Sequence, residues 1–186
     1  YGGQGSAVGS VFGGRRIGPV TAQVAGELFH SNGHVIVDKG QRGGVDTKAG
    51  VTYKTLDLRL AEVPRAGRRL FIRGSLFNES RENGTPLQIN DTSLKDLSAG
   101  AEFETPSAGR FAFRSHIGSQ TYNQTFSAVA AGRNSESLTR RQTTPAQQFG
   151  ASLQWSRHVG RHHNLVAGVE FRDVSGHSDE VVVSGG

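Results

Sequence analysis

Along most of this chain apolar and polar side chains alternate with a period of two. In residues 20–29 the even positions Val20, Ala22, Val24, Gly26 and Leu28 oppose Thr21, Gln23 and Glu27. Residues 51–63 set Leu56, Leu58 and Leu60 against Thr55, Asp57 and Arg59, and 68–79 set Leu70, Ile72, Gly74 and Leu76 against Arg69, Phe71, Arg73, Ser75 and Glu79. The pattern recurs in 93–104 (Leu97, Ala99, Ala101 and Phe103), 110–122 (Phe111, Phe113 and Ile117), 147–157 (Phe149, Ala151, Leu153 and Trp155) and 163–174 (Leu165, Ala167, Val169 and Phe171). Side chains of a strand point alternately to its two faces, so each segment reads as a strand between two different environments. No segment has the i, i+3, i+4 spacing of a sustained helix.

The seven predicted strands run 10 to 13 residues each. Strands of soluble proteins have about 5 or 6, whereas a tilted membrane-crossing strand needs about 9 to 11. The connectors alternate in length: 64–67, 105–109 and 158–162 have four or five residues, while 30–50, 80–92 and 123–146 have 21, 13 and 24. With antiparallel neighbours, all short turns fall at one end and all long loops at the other, as in outer-membrane barrels. The predicted fold class is therefore all-β: a segment of an antiparallel transmembrane β-barrel with about seven long strands.

Two further features agree. Phe103, Phe111, Trp155 and Leu165 lie beside the short turns, where an interfacial aromatic girdle belongs. On the opposite faces Asp57, Arg59, Arg73, Glu102, Arg114 and Glu170 lie mid-strand; a dry core would penalise their burial, and a wet lumen would not.

Composition at first suggests a soluble protein: 34% hydrophobic residues, 26 glycines, no Cys and no Met in 186 residues. It excludes a helical membrane protein, because no run approaches the roughly 20 apolar residues of a spanning helix. The net charge of +5 is scattered in groups such as Arg15-Arg16, Arg68-Arg69 and Arg140-Arg141. No basic stripe or nucleic-acid module emerges, so no nucleic-acid partner is expected.

Candidate chemistry is sparse. His158, His162 and His163 sit in an expected turn rather than on a helix, the glycine-rich start lacks a phosphate-binding pattern, and no Ser, His and Asp set assembles around a nucleophile elbow. No enzyme, metal or cofactor is expected.

Three stretches carry a family resemblance. Residues 77–92, reading Phe-Asn-Glu-Ser-Arg-Glu-Asn-Gly-Thr-Pro-Leu-Gln-Ile-Asn-Asp-Thr, followed by Leu-Ser-Ala-Gly-Ala-Glu-Phe at 97–103, resemble a strand, external loop and return strand of a TonB-dependent outer-membrane receptor. Residues 124–129 through 133–142, from Gln124-Thr125-Phe126 to Arg140-Arg141-Gln142, resemble an external loop of such receptors. Tyr1-Gly2-Gly3-Gln4-Gly5-Ser6-Ala7-Val8-Gly9-Ser10-Val11 is similar to the glycine-rich segment that ends the family's plug domain, although the family's double glycine is followed by alternating apolar residues, whereas here Gly9-Ser10-Val11-Phe12 precedes Gly13-Gly14-Arg15-Arg16.

The resemblance implies a bacterial outer-membrane receptor that takes up a scarce nutrient, such as a metal-siderophore or cobalamin-like ligand. Its partners would be outer-membrane lipid, a TonB-type energy-transducing protein acting through the plug, and the small nutrient. It divides the chain into 1–18, the plug-to-barrel junction, and 19–186, a partial barrel. Seven strands are odd in number and too few for a plugged transporter of about 22, so a fragment is expected. If residues 6–12 supply an eighth strand, a small complete barrel with an adhesive or structural role is the alternative; a soluble β-barrel binding an apolar ligand is the third reading. Candidate ligand-binding residues are Arg59, Arg73, Arg114 and Glu170 in the lumen, and Arg81, Asn83, Arg133, Arg140 and Arg141 at the mouth. Arginine's planar fork suits carboxylate and phosphate. The competing reading of each is an inter-strand charge ladder in the wall.

Overall fold

The computed structural model describes residues 3–62 and 67–183. Tyr1 and Gly2 of the glycine-rich start, and most of the turn expected at 64–67, lie outside the described residues. Nine strands follow one another: β1 (Ala7–Ile17), β2 (Val20–His34), β3 (Ala49–Glu62), β4 (Arg68–Glu82), β5 (Ile89–Thr105), β6 (Gly109–Val129), β7 (Glu136–Val159), β8 (His163–Gly176) and β9 (Asp179–Val182). The first eight form one antiparallel sheet in sequence order, and β9 pairs with the upper part of β7. The sheet is barrel-like but open, since β1 and β8 are its two ends. No helix among the described residues is long and apolar enough to cross a membrane.

The all-β antiparallel architecture is the expected one, but three details are corrected. The first is the strand count, which is nine among the described residues rather than about seven. Residues 7–17, inside the segment 1–18 expected as the plug-to-barrel junction and overlapping the alternative eighth strand at 6–12, form β1 and pair along their whole length with β2. Gly9, Gly13 and Gly14 carry no side chains to alternate, so backbone pairing alone marks this strand. Its two-residue turn places Gly18 at φ 59°, as the first position of a tight hairpin requires.

The second correction concerns the long loops. The expected loops at 80–92 and 123–146 shrink to 83–88 and 130–135, because β4 to β7 continue beyond the alternating segments to 15, 17, 21 and 24 residues. Residues such as Thr121, Tyr122, Asn123 and Gln124 are polar on both faces, so the ladder persists where the hydrophobic signal stops. Only 35–48 remains a long connector. Thirdly, Arg140 and Arg141 stand in β7 rather than in a loop, and as consecutive strand residues they face opposite ways.

The break between β8 and β9 has a local cause. It falls opposite Pro145 of β7, which has no N–H to donate to a neighbouring strand. The His177 amide instead donates to the Pro145 carbonyl at 3.2 Å.

Register fixes the two faces. One continuous row runs Leu60, Ile72, Ala99, Ser115, Ala151, Phe171, and the next runs Leu58, Gly74, Leu97, Ile117, Phe149. On the other face lie Arg59, Arg73, Ser98, His116, Gly150, and then Phe71, Gly100, Arg114, Ser152, Glu170. Among the described residues no hydrophobic side chain is buried, and Leu58 is 50% exposed. The apolar face therefore has no core of its own to cover it.

Candidate functional site: the charged inner wall

On the polar face side chains of alternate strands lean over small residues of the strands between them. Phe71 of β4 and Arg114 of β6 meet over Gly100 of β5, where an added Cβ would stand 2.3 Å from the ring and 3.0 Å from the Arg114 side chain. Asp96 of β5 and Gln148 of β7 meet over Gly118 of β6, and the His116 ring lies over Gly150 of β7. These three glycines are buried. Each is a slot in the wall filled by a neighbour's side chain.

At the turn end of this face is the densest charge cluster. Arg59 and Arg114 both lie over the Phe71 ring, at 5.7 and 5.5 Å from its centroid, within the range in which the negative face of an aromatic ring attracts cations. Glu102 pairs with Arg114 and Arg110, with Arg69 at 4.0 Å. Arg73 pairs with Asp57, its Nε 2.8 Å from one carboxylate oxygen. A cavity of about 370 Å³ opens here, lined by Gln23, Arg59, Arg69, Phe71, Glu102 and Arg114.

Towards the loop end the same face becomes aromatic. Phe29, Tyr53 and Phe77 form a row with centroids 5.0 and 6.0 Å apart, and the Tyr53 hydroxyl donates to Glu27 at 2.6 Å.

The loops are tied to one another. Arg133 of the β6–β7 loop and Asp46 of the β2–β3 loop form a bidentate ion pair at 2.6–2.9 Å, with the Asp46 side chain 1% exposed. The Arg133 guanidinium, and then the Gly43 amide, hold the Asp46 carboxyl below its ordinary pKa. Backbone bonds from Val45 to Arg133 and from Thr47 to Gly84 extend this clasp to the β4–β5 loop. Glu136 accepts from Thr85, Ser127 and the Leu87 amide. Burial raises its pKa, but those bonds outweigh it and the net shift is downward.

The sequence candidates thus separate. Arg59, Arg73 and Arg114 come together on the lower inner wall; Glu170 shares that face on β8, opposite Ser152. Arg81 pairs with Glu79 at 2.6 and 2.8 Å, and Asn83 bonds Asn90 at 2.8 Å across the base of the β4–β5 loop. Arg140 pairs with Glu180 at 3.0 Å and lies over Phe126, while Arg141 is on the other face. Most of these arginines are therefore engaged in wall and loop ladders. Phe71, Asp46 and the aromatic row are missed candidates. Phe71 had a visible signal, an aromatic ring on the polar side of a strand between two arginines.

No protein-family model and no curated protein matches the chain.

Proposed function

We propose that this chain is part of the wall of a bacterial outer-membrane β-barrel of the TonB-dependent receptor type. The barrel would take up a scarce nutrient, such as a metal-siderophore or cobalamin-like ligand, without altering it chemically. In this reading the outward face contacts outer-membrane lipid, a plug carries the contact to a TonB-type energy transducer, and the inner wall with its arginines faces plug and ligand.

The observation that carries the membrane part is the course of the apolar belt across the outward face. From β3 to β8 its loop-side limit moves from Leu56 to Phe171, although the residue in register with Leu56 is Ser175. Its turn-side limit moves from Leu60 to Leu165, although the residue in register with Leu60 is Phe171. The shifts are four and six residues over five strand steps, one residue per strand on average. With a rise of about 3.3 Å per residue and about 4.8 Å between strands, a level belt then implies strands tilted by about 35°. That is the tilt of membrane barrels. Phe103, Phe111 and Trp155 adjoin in one row at the turn-side limit, and the indole N–H of Trp155 donates to the Ala108 carbonyl at 2.7 Å. An amphipathic girdle fits there.

Transport is tested by growth of a deletion strain on candidate iron, cobalamin and glycan sources, with and without the energy transducer. Loss of growth on one source, reproduced by removing the transducer, supports the reading; unchanged growth on all of them counts against it. A second reading, a small eight-stranded outer-membrane barrel, is favoured by the eight strands paired in succession. Cysteines introduced along β1 and β8 decide between the two. Disulfides within one chain require the small closed barrel, and their absence favours a larger one.

A further inference from the structure

The arginines of the polar face do not all have a carboxylate to meet. Asp57 takes Arg73. Both oxygens of Glu102 are occupied, Oε1 by Arg114 and Oε2 by Arg110, so Arg69 reaches this carboxylate only at 4.0 Å. Arg59 pairs with no carboxylate among the described residues. The neighbouring positions do not supply the missing charge. Between the row of Asp57 and the turns, the other carboxylates of this face are Asp96, Glu104 and Glu170, and the other arginines are Arg16 and Arg172. Among the described residues of these rows, two guanidiniums are therefore in excess, which matches Arg59 and Arg69.

Arg59 and Arg69 line one cavity, of about 370 Å³, within the range of about 300 to 1,000 Å³ that small-ligand sites occupy. Phe71 stands between them, one row below Arg59 and one row above Arg69. Its ring and Ala61 give the cavity an apolar lining, while Thr21 and Gln23 of β2 add a hydroxyl and an amide. The two carboxylates of the lining are already held by arginines, Glu102 as above and Glu62 by Arg68. A second cavity of about 170 Å³ adjoins the first and shares Gln23 and Arg59 with it.

We propose that this cavity binds a small organic dicarboxylate, one carboxylate on Arg59, the other on Arg69, and the carbon chain between them against Phe71. The planar fork of arginine pairs a carboxylate through two parallel bonds. Two forks on either side of an apolar ring select two carboxylates joined by carbon, which neither a monocarboxylate nor inorganic phosphate supplies. The inference rests on the uptake reading above and gives the nutrient a chemical class.

The test measures binding apart from transport. Glutarate, butyrate and inorganic phosphate are titrated calorimetrically into the full chain refolded in neutral detergent at low ionic strength. Glutarate is expected to bind about tenfold tighter than either of the others, the scale of one added charge-assisted pair. R59Q and R69Q should each bring glutarate down to the butyrate level. R172Q removes an arginine of the same face that also has no carboxylate partner among the described residues, and should bind glutarate as the wild type does. Equal affinity for glutarate and butyrate or phosphate, unchanged glutarate binding in both R59Q and R69Q, or an equal loss in R172Q overturns the proposal. If glutarate binds as expected while the deletion strain grows unchanged on every source, the uptake reading falls and the site stands. If glutarate does not bind, the site falls and growth still decides uptake.

Discussion

Arg114 of β6 lies over the ring of Phe71 of β4, two strands away, because Gly100 of β5 has no side chain to separate them. This contact joins the charge cluster of the polar face, since Arg114 also pairs with Glu102.

Filling the slot should therefore be costly. In Gly100→Val the branched side chain must displace both Phe71 and Arg114, and the expected loss is about 1–3 kcal/mol, the range for overpacking a closed site. Gly74→Ala on the outward face is the control, because its Cβ would meet nothing nearer than 3.9 Å. Urea unfolding midpoints in detergent or vesicles should fall for the first and stay near wild type for the second.

Outward and inward arginines should differ in the same way. Leu58 stands in the middle of the belt on β3, and Thr55 faces inward three residues away. Leu58→Arg is expected to cost the inserted barrel about 2–4 kcal/mol, with Thr55→Arg costing much less. Equilibrium folding into lipid vesicles measures both.

The clasp between loops should respond to acid. The Asp46 carboxyl is held below its ordinary value of 3.8 in the folded state by Arg133. The stabilisation from this pair is then complete above 3.8 and is lost as pH falls through the lowered folded-state value. Protease nicking within 35–48 should be slow at neutral pH and should rise only under strongly acidic conditions, read with an acid-active protease. Arg133→Met should make the segment sensitive at neutral pH, where the Asp46 carboxylate has lost its partner.

How far the sequence anticipates this structure depends on side-chain alternation. Where apolar and polar residues alternate, as in Leu56, Leu58 and Leu60 or Leu97, Ala99 and Ala101, strands and faces are legible. The alternation vanishes in β1, where glycines carry no signal, and in the upper halves of β6 and β7, where Thr121 to Gln124 face polar surroundings on both sides. Those segments are held by backbone ladders, which leave no pattern in side-chain hydropathy. The charged residues of the inner wall were visible as types and positions. Their partners were not, because Arg114 meets Glu102 and Phe71 through strand register, and Arg133 meets Asp46 from a position 87 residues away.

The central claim is that the alternating faces of these strands meet lipid and water respectively. The chain contains no cysteine, so single cysteines can be introduced one at a time from 55 to 61 on β3 and labelled with a water-soluble maleimide after insertion into vesicles. Positions 55, 57, 59 and 61 should react readily and positions 56, 58 and 60 should be protected. Uniform labelling along the strand, or protection of the odd positions, would contradict the account.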